Sequence, residues 1–342
     1  MRAAEAKRLA LEAGFDLCGI CRAEPRPTGH ALLAWLSAGR HANLDYMARA
    51  PERRCDPRLV WPEARSMLVV AMNGPTPTPE HGDAGATFSA YSMESDYHDT
   101  MLPRLRALPG RIGSALGCAV NGRAYVDTGP ILERDAAWQA GLGWIGKSAM
   151  LISPRLGTSL MLGVLLLDIE MAPDTPMDDH CGTCQRCIDA CPTQAIMAPR
   201  VVDSRRCIAY HTIESRIVIP RQVAERMGQR VFGCDICQEV CPMNRLPAQR
   251  AMRNGNTRRA QDPAPVEELL TITHETFRER FRGTPVTRAK RHGLLRNAAA
   301  ALSVRTDLAA ITALRSALAD PEPLVREQAA QSLGQPLDGQ PE

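Results

Sequence analysis

Aromatic side chains are scarce in this sequence: five Phe, four Trp and five Tyr make up only 4% of 342 residues. That scarcity excludes a stacking platform of the kind that grips single-stranded nucleic acid base after base. Long apolar runs are also missing. The most apolar stretch, SLMLGVLLLD, falls well short of the ~20 residues that cross a bilayer, so no membrane partner is expected. A large excess of one charge is lacking as well: 41 Lys and Arg against 38 Asp and Glu leave a net charge of +3, too slight to draw a polyanion by overall field alone. The opening MRAAEAKRLALEAGF is charged and helical rather than a basic cap on an apolar run, which predicts a cytoplasmic protein. Cysteine is the exception. Eight of the twelve cysteines fall between 181 and 241, and in a reducing compartment such clustering points to metal rather than disulfides.

The patterning predicts an α+β multidomain chain in three parts: 1–168, 169–250 and 251–342. The first reads as an α/β domain. FDLCGI, RSMLVVAMNG, AYVDTGP and SLMLGVLLLD are strand-like, with Cys18 and Cys21 expected on opposite faces. HALLAWLSAG and ILERDAAWQAGLG have helical spacing, and TMLPRLRALPGRIGSAL is helical with proline interruptions. A Pro/Asp-rich linker, MAPDTPMDD, leads into the cysteine-rich part. Beyond about residue 250 alanine, leucine and arginine dominate. Arg296 and Arg326 are each followed, three and four places on, by paired alanines, which predicts HEAT-like helical packing.

CGTCQRCIDACP sets Cys181, Cys184, Cys187 and Cys191 in the C-x2-C-x2-C-x3-C-P run of bacterial ferredoxins, whose fourth cysteine serves a second cluster. The later run CDICQEVCP, with Cys234, Cys237 and Cys241, is one cysteine short, and Cys207 completes it. Two [4Fe–4S] clusters follow: Cys181, Cys184, Cys187 and Cys241 hold one, and Cys191, Cys207, Cys234 and Cys237 hold the other. Structural zinc sites pair two C-x-x-C knuckles instead of interlocking in this way.

SDYHDTM, YVDTGPILERDAAWQAGLGWIGK, CIAYHTIE, FGCDICQEVCP and TPVTRAKRHGLLRNAAAAL, in this order around the ferredoxin core, resemble the epoxyqueuosine reductases over nearly the whole chain. The resemblance implies a cobalamin-dependent iron–sulfur enzyme that reduces epoxyqueuosine to queuosine at the wobble base of tRNA. It implies a reductive-dehalogenase-like cobalamin domain, a two-cluster ferredoxin domain and a HEAT-like tail. An external low-potential electron donor and a monomeric chain complete the picture. It also implies that Asp127 is the proton donor, a role suited to a carboxyl whose pKa an apolar corrin face would raise. Arg134 would orient the substrate or that carboxylate, and Lys147 would lie near a corrin amide or the substrate. Asp96, Tyr97 and His98 form a second polar cluster on the cobalamin pocket wall, His98 leaving cobalt unligated. Arg54, Thr212 and Asp235 are further cobalamin-contact candidates.

From Arg278 to Arg305 eight basic residues face a single acid, Glu279, which suits contacts to tRNA phosphates. Arg288, Lys290, Arg291 and Arg296 are the candidates in this band. GLGWIGKS, residues 141–148, also satisfies the phosphate-binding G-x-x-x-x-G-K-[ST], but ERDAAWQA before it is helical where a P-loop needs a strand. Its glycines are expected to let the backbone pass close to the corrin. Two rivals are a reductive dehalogenase, usually marked by a twin-arginine signal that MRAAEAKRL lacks, and a ferredoxin-like electron carrier, which would need neither flanking domain.

Overall fold

SMLVVAMN and LMLGVLLL are apolar at nearly every position because the sheet they form is covered on both faces. In the computed structural model, which describes residues 2–75, 85–245 and 264–334, four strands make this sheet. They are β1 (Leu17–Arg22), β2 (Ser66–Asn73), β3 (Gly122–Tyr125) and β4 (Leu160–Leu167), in the order β1-β2-β4-β3. All three pairings are antiparallel. Helices and strands alternate along this part of the chain, and the sheet they build is antiparallel throughout.

Helices cover both faces. On one, α1 (Arg2–Glu12) and α3 (Tyr97–Leu116) pack Leu9, Met101, Leu105, Leu108 and Ile112 against Ile20, Leu68, Val70 and Leu165. On the other, α4 (Glu133–Gln139) sets Ala136, Ala137 and Ala140 against Leu17, Val69 and Val164. Between α1 and α3 in the chain, α2 (Gly29–Ser37) is HALLAWLS, as expected. Cys18 joins the first face and Cys21 the second, as strand alternation requires. Pro103 and Pro109 do not interrupt α3, which runs unbroken for 20 residues. Each wholly buried Leu, Ile or Met on its inner stripe contributes roughly 1.5–3 kcal/mol, enough to offset a missing backbone hydrogen bond.

Two devices aim the sheet domain at its reactive edge. The Asp96 side chain caps α3 by accepting the His98 N–H at 3.1 Å, so His98 sits in the first turn. A buried ion pair, Arg26 with Asp135 at 3.6 Å, anchors the start of α4, and Asp135 also accepts the Thr28 N–H.

The remaining core joins the later cysteine region to the tail. Ile208, Met227, Val231 and Phe232 pack with residues of α5 (His274–Phe281), α6 (Lys290–Ala301), α7 (Leu308–Ala317) and α8 (Pro323–Ser332). Thr87–Phe88 pairs in parallel with Arg230–Phe232 and fastens the first part of the chain to this core.

Gly19 and Gly110 should respond in opposite directions to alanine. A Cβ on Gly19 would lie 2.0 Å from the Ala140 carbonyl oxygen, where β1 passes the end of α4. Gly19→Ala should therefore lose about 1–3 kcal/mol of stability by overpacking. Gly110 has nothing within 4 Å of that position and lies within α3. Gly110→Ala should gain roughly 0.5–1 kcal/mol. Urea midpoints of the two variants check both signs.

Candidate active site

β3 ends at Tyr125, and two residues later the backbone turns through a left-handed conformation at Asp127, φ +58°. Aspartate tolerates this region better than most residues. The half-buried Glu133, at the start of α4, holds the turn by accepting the Asp127 N–H at 2.7 Å. Arg54 donates to the Gly129 carbonyl at 3.1 Å and to the Tyr46 carbonyl at 3.2 Å, closing the loop from the other side. The Asp127 carboxylate thus projects from a loop held at both shoulders.

Two cations meet it. Arg288 donates to Asp127 Oδ2 at 3.2 Å, and its other nitrogen lies 2.8 Å from Glu214. His98 Nε2 lies 3.7 Å from Asp127 Oδ2, while its Nδ1 is 2.6 Å from Asp96. Tyr97 stacks on the His98 ring at 4.2 Å. The imidazole of His98, then the Arg288 charge, hold the Asp127 carboxyl below the usual carboxylate range against the effect of burial. The same contacts raise the His98 imidazole to about 9, through Asp127 first and Asp96 second. Glu133 is pushed up to about 7, by burial and then by the charge of Asp127. A raised pKa was expected for Asp127; in this structure it belongs to its neighbours. Glu133, Glu214 and Tyr46 escaped the sequence reading, although Glu133 stands in the very motif DTGPILERD that carries Asp127.

Five of the eight cysteines share one cavity. Cys181, Cys184, Cys187, Cys237 and Cys241 line it with Trp144 and Ile152. Burial pushes the Cys187 thiol up, and the Cys181, Cys241 and Cys184 sulfurs add to the effect. Burial likewise raises Cys207, with Cys191 as its neighbouring sulfur, and Cys234, with Cys207 as its own. Cys237 feels Cys234 and Cys207 after burial, and more weakly Cys187, where the two groups adjoin. Among the described residues no three Cys, His, Asp or Glu side chains close on a single ion. A lone zinc draws its thiolates to about 2.3 Å, whereas a four-iron cube is an extended body with a ligand at each iron corner. Trp144 donates its indole N–H to Cys181 Sγ at 3.5 Å, and the Ala195 N–H donates to Cys191 Sγ at 3.2 Å. Such donors suit the negative charge of an iron–sulfur cluster, so the residues present fit the two clusters.

The glycine-rich loop belongs to this cluster wall. It follows α4 and enters a two-strand hairpin, Trp144–Ile145 with Leu151–Ile152, with no strand before the glycines and no helix after them. A Cβ on Gly143 would lie 2.1 Å from the Ile152 carbonyl oxygen, and one on Gly146 would lie 3.5 Å from Cys181 Sγ. Lys147 donates to the Gly182 carbonyl at 2.7 Å. The close approach of these glycines is thus to Ile152 of the hairpin, beside the cysteine run to which Lys147 is tied. Arg134 donates to the Ala149 carbonyl at 3.2 Å and makes no hydrogen bond to Asp127.

Four further expectations are corrected by burial. Thr212 is wholly buried, donating to the Ile208 carbonyl and accepting the Gly233 N–H, so its hydroxyl is consumed within the frame. Asp235 is buried and accepts the Ala90 N–H at 2.6 Å. Arg291 forms a buried ion pair with Asp320 at 2.7 Å. Arg296 is 0% exposed and donates to the carbonyls of His211, Ser215 and Ile217. Neither arginine can reach a phosphate, because each serves as an internal clamp. Arg288 is turned into the carboxylate cluster. Of the four expected tRNA-binding residues only Lys290 is both exposed and free of such a role, and Arg278 and Arg282 are exposed beside it in the band.

Residues 180–244 match the family model "4Fe-4S double cluster binding domain", and residues 54–128 match "Epoxyqueuosine reductase QueG, DUF1730". An epoxyqueuosine reductase of Xanthomonas campestris is 38% identical over 97% of this chain and 96% of its own. Among solved structures, an epoxyqueuosine reductase with an epoxyqueuosine-modified tRNA-Tyr stem loop superposes with a TM-score of 0.85, at 28% identity over 97% of this chain and 89% of that one. A Bacillus subtilis epoxyqueuosine reductase, described with its catalytic aspartate loop swung out of the active site, gives 0.84 at 27% identity over the same shares.

Cys207 tests the division of sulfurs. Cys207→Ala should retain roughly half of the wild-type iron, since one of two clusters loses a ligand. Iron analysis of anaerobically purified protein reads this directly, and unchanged iron would remove Cys207 from the set.

Proposed function

The chain belongs to the epoxyqueuosine reductase family, and from that premise we propose that it reduces epoxyqueuosine to queuosine at the wobble position of tRNA, with Asp127 protonating the departing oxygen. The observation that carries this reading is the convergence on Asp127: a carboxylate on a braced left-handed turn, met by His98 and Arg288, with Glu214 on the far side of Arg288. Glu214 stands only seven residues beyond Cys207, so acid and electron source share one short piece of frame.

The reaction takes two electrons and two protons, converting an epoxide into an alkene and water. The two clusters, held by the eight cysteines, would carry electrons in from an external low-potential donor. Cobalamin, when bound, supplies the reduced cobalt that delivers them to the substrate carbons. Arg54 Nε is buried beside the Asp127 loop without a hydrogen-bond partner among the described residues, which fits a ligand rich in amide and phosphate oxygens. Arg54, Tyr97 and Arg134 would hold it, whereas Thr212 and Asp235 are committed elsewhere. Asp127 waits ionised between two cations; burial of the site under substrate and cofactor raises its proton affinity when the oxygen departs.

The three parts act as a cobalamin-binding domain (1–168), a two-cluster domain (169–250) and a HEAT-like tRNA-binding tail (251–342) of a cytoplasmic monomer. No helix among the described residues is long and apolar enough to cross a membrane. The exposed basic residues of the tail supply phosphate contacts, while the scarcity of aromatics leaves base recognition to a pocket that admits one extruded nucleoside.

Asp127→Asn keeps the side chain's size and removes its acid. Turnover of an epoxyqueuosine stem loop should fall by roughly 10²–10⁴-fold with its affinity unchanged. Normal turnover would move the acid elsewhere. Neutralising Arg278, Arg282 and Lys290 together should do the reverse: kcat persists, binding weakens, and the salt dependence flattens by about one unit per lost phosphate contact. An unchanged salt slope would make the band a solvated face only.

A further inference from the structure

A carboxyl group can deliver only one proton at a time, and the reaction consumes two. Both carbon–oxygen bonds of the epoxide break and oxygen keeps both bonding pairs. Two electrons from the donor and the clusters form the alkene, and two protons turn the oxygen into water. A single carboxyl must therefore be reloaded within each turnover, or be joined by a second source.

We propose that His98 is a proton-relay residue acting through Asp127, reloading its carboxyl from the buried side of the site. The inference rests on the proposed reaction and concerns a residue that does not itself meet the substrate. Its geometry is specific. Asp96 binds the His98 backbone N–H at 3.1 Å and its ring Nδ1 at 2.6 Å, which fixes the ring and assigns the Nδ1 proton to Asp96. Tyr97 stacks over the ring at 4.2 Å and an interplanar angle of 27°. Nε2 is thereby left facing Asp127 Oδ2 at 3.7 Å, buried and without a hydrogen-bond partner among the described residues. This separation exceeds a hydrogen bond, and a modest turn of the carboxylate closes it. Catalytic contacts often tighten in this way when the substrate arrives.

The electrostatics load the relay. Asp127 and Asp96 flank the imidazole and raise it to about 9, so it carries its proton at neutral pH. Other charged and titratable groups face the pair. Arg288, bridged to Glu214, holds Asp127 low; Glu133, raised to about 7, abuts Asp127 through its backbone; and the Tyr97 and Tyr91 phenols are pushed up by burial. The imidazole and the Asp127 carboxyl thus retain one proton between them up to about pH 9, as a coupled pair. When the carbon–oxygen bond breaks, the developing alkoxide is far more basic than imidazole. The Nε2 proton passes to the ionised Asp127 carboxylate and from it to the oxygen, leaving neutral His98 and ionised Asp127 until solvent recharges His98 for the second proton.

The test uses cluster- and cobalamin-loaded protein, an epoxyqueuosine stem loop and dithionite as reductant. His98→Gln keeps a donor amide near Asp127 and cannot ferry a proton. Its kcat should fall by about 10²-fold with KM unchanged, and the alkaline limb of the wild-type kcat profile near pH 9 should vanish. Imidazole added to His98→Ala should restore part of the rate. Asp96→Asn removes one flanking charge and should move the limb to lower pH. A His98→Gln enzyme with wild-type kcat and pH profile overturns the relay, as does one altered in KM alone. A second reading needs no turnover. In the substrate-free protein, NMR should show the His98 imidazole deprotonating near pH 9, and at lower pH in Asp127→Asn. Titration at the ordinary 6.5 in both refutes the coupling. Wild-type protein that leaves epoxyqueuosine intact counts against the reaction, and the NMR titration then decides the coupling by itself.

Discussion

The Arg288 guanidinium reaches Asp127 on one side and Glu214 on the other, joining three stretches of chain that are remote in sequence. Asp127 closes a strand of the sheet domain, Glu214 ends the short π-helix that follows Cys207, and Arg288 leads into the tail. A reducing centre must hold an acid within reach of its electron source without letting water short-circuit the two. Here that constraint is met by a bidentate cation between two carboxylates, supported by buried clamps. Arg296, wholly buried in α6, donates to three carbonyls around the same π-helix, and Asn297 beside it donates to the Thr212 and Val231 carbonyls. The tail is therefore fastened to the frame that carries Asp127.

The same economy explains the glycine-rich loop. Its match to a nucleotide-binding pattern is fortuitous, because glycine is needed wherever a Cβ would collide, and here Gly143 meets the Ile152 carbonyl and Gly146 the Ile152 side chain. What decides between the two uses is the element on either side, a helix before and a hairpin after. The loop walls the cysteine cavity through Trp144, and Lys147 ties it to the first turn of the cysteine run.

Much of this was legible in the sequence, and the reasons differ by residue. Continuous apolar strands announce themselves because both sheet faces are covered, and interlocked cysteine spacing is specific because a cube of iron demands it. Asp127 could be named, but not its protonation, since that depends on His98 and Arg288 arriving from elsewhere in the chain. The tail misled most. A run of arginines reads as a phosphate-binding band, yet Arg291 and Arg296 turn inward because Asp320 and a set of helix-end carbonyls wait for them. Burial of a charge is decided by its partner, and neither partner lies within the run. Glu133 was hidden for a related reason: an acidic residue at a helix start suits the helix dipole, and nothing local reveals that its carboxylate also grips the Asp127 turn.

The central claim is that this frame removes one oxygen from an epoxide at the expense of two electrons. It is tested most directly by a stoichiometric reduction: cluster- and cobalamin-loaded protein, an epoxyqueuosine stem loop, and a counted amount of low-potential reductant under anaerobic conditions. Mass spectrometry of the released nucleoside should find a product lighter by one oxygen, with two electrons consumed for each molecule formed and no solvent deuterium on carbon. A product that retains the oxygen, as an opened alcohol or diol, or a nucleoside left unchanged while the clusters are oxidised, would contradict it.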